Sequence, residues 1–215
     1  MRKHGLTQDG DSTFANAEGL ACVLDALGVQ QAYVLGHSLG AVAALDFTLA
    51  HPERVRRLVL AAPGLIGYDL NHDSVLVANN RQLAAAWPRH DTLAYSEYFV
   101  RSWVDGPRRQ PTQTPRPMRT LALRLVRESL RHRRTIGLSF ATTPPPRQRL
   151  AEVQTPTLVL VGSADMQDIL EISQELVRRL PHARRVVFPG AAHLLNLERP
   201  RRFTKKTQAF LLEQP

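Results

Sequence analysis

Gly36-His37-Ser38-Leu39-Gly40 directly follows the apolar run Tyr33-Val34-Leu35 and directly precedes Ala41-Val42-Ala43-Ala44-Leu45. The junction commits this stretch to a strand, a sharp turn and a helix in immediate succession. A serine flanked by glycines at such a turn forms a nucleophile-elbow pattern. A serine hydroxyl is a poor nucleophile until a base removes its proton, and the tight turn lifts Oγ to where a histidine can reach it. Ser38 is therefore the candidate nucleophile, and the backbone N–H of Leu39 is the candidate donor to a developing oxyanion.

An acid and then a histidine should follow in the chain, each at the end of a later strand. Thr157-Leu158-Val159-Leu160-Val161 is an unbroken apolar run, as a buried parallel strand requires, and it closes in Gly162-Ser163-Ala164-Asp165. Arg185-Val186-Val187-Phe188 predicts a further strand and ends in Pro189-Gly190-Ala191-Ala192-His193. Ser38, Asp165 and His193 then meet at one sheet edge, where α/β proteins bind ligands. Asp168 and Asp69 are rivals for the acid. Asp165 lies nearer its strand end, and Asp168 reads alternatively as a surface or helix-capping carboxylate. His37 reads as a packing and hydrogen-bonding neighbour beside the substrate rather than a proton carrier. His51 suits a helix end, and His72, His90, His132 and His182 lack metal-ligand spacing.

Gly162 to Asp165 resembles the G-x-x-D acid loop of the α/β-hydrolase fold, and Gly190 to His193 resembles its G-x-x-H loop. Ala17 to Pro63 is similar to the lactonase, esterase and haloperoxidase-like branch that includes 3-oxoadipate enol-lactonase. The resemblance covers nearly the whole chain. It implies an α/β-hydrolase fold with a mainly parallel sheet and a helical cap insertion. It also implies cofactor-independent catalysis by Ser38, His193 and Asp165. Met1 to Thr7 resembles the family's D-x-R-G-x-G-x-S turn, so the expectation is an N-terminally truncated sheet lacking its first strands and the second oxyanion donor. Its edge would then fall at Ala32 to Leu35.

The expected organisation is residues 1–63 and 152–215 as two parts of the hydrolase core, with 64–151 as the cap. Cap helices are predicted at Ser74 to Ala86, Leu93 to Val104 and Met118 to Arg131, separated by prolines. Trp87 and Trp103 could line a substrate pocket or simply pack. A net charge of +9 on 215 residues invites a nucleic-acid reading. Yet the excess lies between Pro107 and Arg149, where eleven arginines face the single acid Glu128. No aromatic-interleaved or helix-turn-helix pattern accompanies them, so they read as a solvated face, or as an attractor for an anionic substrate.

A hydrophobic fraction of 43% supports a sizeable core. No run approaches the roughly 18 apolar residues of a membrane span. Cys22, the lone cysteine, is expected on a helix from Phe14 to Leu27 as a buried thiol, and a cytoplasmic setting follows. The expected partner is a small ester or lactone, with no metal, cofactor, membrane or nucleic acid. Alternatives are carbon–carbon hydrolysis, perhydrolysis or acyl transfer by the same triad, or a non-catalytic binding protein.

Overall fold

The computed structural model describes residues 16–132 and 144–213. The turn expected at Met1 to Thr7, together with Phe14, Arg133 and Arg134, lies outside them. The chain runs α1 (Asn16–Ala26), β1 (Ala32–His37), α2 (Leu39–Ala50), β2 (Val55–Ala61), α3 (Ser74–Ala86), α4 (Thr92–Val100) and α5 (Arg116–His132). It continues through β3 (Thr157–Gly162), α6 (Gln167–Arg179), β4 (Ala183–Phe188), α7 (Leu195–Glu198) and α8 (Pro200–Leu211).

Among the described residues the strands form one sheet in the order β1-β2-β3-β4, parallel throughout. β3 is buried at every position, which explains its uninterrupted apolar sequence. β1 lies at an edge of this sheet, and its burial alternates, leaving Tyr33 and Leu35 exposed. Phe47, Leu58, Leu60, Leu158, Leu160, Ile169 and Ile172 fill the core between sheet and helices. Parallel register aligns the carboxyl ends: His37 pairs with Ala61, Ala61 with Leu160, and Gly162 with Phe188.

The helical phase corrects the expectation for Cys22, which is exposed. Ala17, Ala21 and Leu24 face the core at helical spacing. Cys22 therefore points about 100° away from Ala21. The predicted helix over Leu93 to Val104 also differs. It stops at Val100 and widens into a π turn, Arg101–Asp105, closed by a 3.1 Å bond from the Gly106 N–H to the Arg101 carbonyl.

The arginine stretch is not merely a solvated face. Arg119 bridges Glu97 and the buried Asp105, Arg147 pairs with Glu175, and Arg109 pairs with Glu198. Arg108 donates to the carbonyls of Ser163 and Asp165 at 3.4 and 3.3 Å. These acids belong to other segments, so the local charge count misses them.

Asp46 on α2 is 5% exposed, and its Oδ1 has no hydrogen-bond partner among the described residues. Burial pushes its carboxyl up from 3.8 to about 6, tempered by the Arg149 charge. The folded state thus holds an extra proton between about pH 4 and 6, and ionisation costs stability increasingly as pH rises through that window. A shift of this size corresponds to about 3 kcal/mol. Asp46→Asn should stabilise the fold by about 2–3 kcal/mol at pH 7.5 and change it little at pH 4, as urea melts at both values would record.

Candidate active site

The elbow is built by close approach. A Cβ on Gly36 would run into the carbonyl of Gly40, so the last residues of β1 can pass the first turn of α2 only with glycine at position 36. Gly40 has open space where its Cβ would stand. Ser38 takes φ 53° and ψ −115°, a conformation that L-residues seldom adopt, and its N–H donates to the Ala61 carbonyl at 2.8 Å. The strained residue is thereby pinned to β2. Such strain is characteristic of functional turns. Leu39 opens α2, where a helix leaves its N–H groups without intrahelical acceptors.

Asp165 and His193 meet as their strand ends predict. His193 Nδ1 lies 3.1 and 3.0 Å from the two Asp165 carboxylate oxygens, and Asp165 Oδ1 also accepts from the Met166 N–H at 2.8 Å. Both side chains are buried. An Nδ1–H donated to the carboxylate leaves Nε2 as the basic nitrogen. That Nε2 is buried and has no hydrogen-bond partner among the described residues.

His37 precedes Ser38 in the chain and lies against His193. Its Nε2 lies 2.8 Å from the His193 carbonyl, and the rings are 5.2 Å apart edge to face. Burial and then the neighbouring His193 lower its pKa from 6.5 to about 4, so it is neutral near pH 7 and donates to that carbonyl. A neutral ring here adds no second cation beside His193. The depressed pKa also contributes stability that is full above pH 6.5 and is lost as pH falls toward 4, opposite in sign to the Asp46 effect.

The two tryptophans separate. Trp103, in the π turn, packs against the His193 ring at 4.7 Å, whereas Trp87 packs on Tyr95 at 5.8 Å. Gly106, at φ 79°, ends the π turn against the loops that carry Asp165 and His193. A Cβ there would stand 2.9 Å from the Ala164 carbonyl and 3.1 Å from Ala192 Cβ.

Asp168 does not pair with His193 among the described residues, and it is not a surface group. It is fully buried and accepts from the N–H groups of His72 and Asp73 at 3.0 and 2.9 Å. Asp73, in return, accepts from the Gln167 N–H at 3.1 Å and from Val75 and Leu76 at the start of α3. The two carboxylates lock the starts of α3 and α6 together. Asp69 is exposed. Sequence reasoning missed this lock, whose partners lie 94 to 96 residues apart. Among the described residues no three His, Cys, Asp or Glu side chains are grouped to hold a metal. No described helix is long and apolar enough to cross a membrane.

The alpha/beta hydrolase family profile matches residues 1–206. The chain belongs to this family. The hydrolase is 31% identical over 209 residues to a putative 2-succinyl-6-hydroxy-2,4-cyclohexadiene-1-carboxylate synthase of Bacillus subtilis, covering 93% of this chain and 73% of that protein. It is 31% identical over 207 residues to a 2-hydroxymuconate semialdehyde hydrolase of Pseudomonas putida, covering 89% and 66%. Among solved structures, the esterase RhEst1 of Rhodococcus sp. ECU1013 superposes with a TM-score of 0.78 at 22% identity, covering 98% of this chain and 78% of that one. That likeness carries the fold. Together the relatives support an enzyme of the hydrolase class.

Proposed function

We propose that the chain is a serine hydrolase that cleaves a small ester or lactone through an acyl-enzyme. The observation that carries this reading is the buried Nε2 of His193, without a hydrogen-bond partner among the described residues, on a ring whose Nδ1 is held by Asp165. It is a base with its tautomer set by Asp165, on a loop at the same sheet edge as the strained Ser38. Ser38 Oγ attacks the acyl carbon while His193 Nε2 takes its proton, and Asp165 stabilises the imidazolium. The Leu39 N–H faces the oxyanion, and the tetrahedral intermediate collapses as His193 returns the proton to the leaving oxygen. Water, activated by the same nitrogen, then releases the acid. For a lactone the leaving alcohol stays tethered, and the product is a hydroxy acid. The described part of residues 64–151 acts as the cap, with Trp103 forming a wall beside His193 and a neutral His37 against the same ring.

A second reading has the same residues hydrolysing a carbon–carbon bond in a hydroxy-oxo-dienoate. It is favoured by relatives such as the 2-hydroxymuconate semialdehyde hydrolase. Both readings require an active serine. A fluorophosphonate probe should leave one adduct, mapped by peptide mass to the fragment bearing Ser38. Short nitrophenyl esters should give a burst of alcohol equal to the enzyme present. A folded protein that takes no adduct, or takes it elsewhere, would sink both readings; an adduct on Ser38 with turnover of dienoates alone would select the second.

A further inference from the structure

A buried ion pair ties the base of the proposed triad to the segment that carries Trp103. Glu198 stands five residues after His193, and its side chain is 4% exposed. Its Oε1 accepts from the Ala192 N–H at 2.9 Å, the residue immediately before His193. The same carboxylate is gripped by Arg109, with Nη1 2.6 Å from Oε2 and Nη2 3.2 Å from Oε1. A forked guanidinium on a carboxylate is the most directional of ion pairs. Arg109 also donates from Nη2 to the Val104 carbonyl at 2.9 Å and from Nε to the Asp105 carbonyl at 2.6 Å. These are the last carbonyls of the π turn that carries Trp103. Asp105 itself is pinned from the other side by Arg119.

We infer that Arg109 and Glu198 are a positioning pair that sets the His193 loop and the Trp103 turn in one register. The imidazole is then oriented only when the turn is seated against its ring. Three further contacts lie on the same line. Gly106 leaves no room for a Cβ against Ala164 and Ala192, and Leu194, beside His193, packs on the small second core of Val100, Val104 and Ala122. Trp103 meets the ring at 4.7 Å. The pair touches no reacting atom. It acts through Ala192, whose N–H fixes the backbone entering His193, and through the turn that holds Trp103. The inference rests on the triad reading above for its effect on rate, but not for its effect on the histidine.

The test uses the full chain and two readouts. One is the low-field proton resonance of His193 Nδ1–H donated to Asp165. The other is fluorophosphonate labelling, resolved into probe affinity and maximal rate. Glu198→Ala should broaden or remove the resonance and slow the maximal rate about 10–100-fold, the usual penalty for losing an orienting partner, with affinity changed far less. Glu198→Gln still offers Ala192 an acceptor and should recover the resonance. Arg109→Lys should fall between them. Thermal melts select a temperature at which each variant is folded, and if Glu198→Ala does not fold, Glu198→Gln and Arg109→Lys carry the comparison. A resonance and maximal rate unchanged in folded variants, with only the melting temperature lowered, would reduce the pair to a structural tie and overturn the inference. So would a wild type without the resonance. A wild type that shows the resonance, loses it in Glu198→Ala and never labels would uphold the positioning pair while refuting the hydrolase mechanism.

Discussion

Ser38→Ala and His193→Ala should each lower ester turnover by about 10⁶, and the double variant should be no worse than either single one. The two side chains act as one unit: the hydroxyl is not a nucleophile without the base, and the base has nothing to deprotonate without the hydroxyl. Ser38→Ala should cost little stability, since Ser38 Oγ forms no hydrogen bond that caps α2. His193→Ala should lower stability by about 1–3 kcal/mol, because it leaves the buried Asp165 carboxylate without the imidazole. The strained backbone at φ 53° adds an independent check. Alanine inherits the strain, so Ser38→Ala should melt close to the wild type, whereas Ser38→Gly should be more stable by about 1 kcal/mol. An inactive glycine variant that is more stable than its parent would show that the fold carries this conformation for its chemistry. Loss of stability alongside activity in both Ser38→Ala and Ser38→Gly would instead mean that the serine is structural.

The placement of Ser38, Asp165 and His193 at strand ends was legible because it needs only local signals. Each member sits just past an apolar run, and parallel pairing carries all three run ends to one edge. The same reasoning reached Gly36 but overvalued Gly40, since a motif does not say which of its glycines is crowded. Cys22 was misread because being flanked by leucines in sequence differs from sharing a helix face with them. The π turn at Arg101 has no proline to announce it. Its stabilising partners, Arg119 on Asp105 and Arg109 on its carbonyls, come from later in the chain. Asp168 is the clearest case. Local capping statistics place it at a helix start, which is correct, but its burial depends on the Asp73 loop, 95 residues upstream. Periodicity and strand ends are written locally, whereas the ties between catalytic loops and the segment above them are made at long range.

That distinction separates the two aspartates experimentally. Asp165→Asn should lower turnover about 10⁴-fold, because an amide presents an N–H as readily as an oxygen to Nδ1 and permits the tautomer with the proton on Nε2. The base would then be protonated at the wrong nitrogen, with the geometry nearly intact. Its melting temperature should move little, since asparagine can still accept from the Met166 N–H. Asp168→Asn should behave in the opposite way. The side chain accepts two backbone N–H groups with its two oxygens, and asparagine offers only one oxygen, so a donor at His72 or Asp73 is left facing an amide nitrogen. An unsatisfied buried donor costs about 1–3 kcal/mol, with turnover per folded molecule within a few-fold of the parent. Urea melts and ester assays on the two variants would resolve the matter. If Asp168→Asn were the one to lose turnover while Asp165→Asn lost only stability, the acid would have to be reassigned, and the His193 geometry would describe a structural pair.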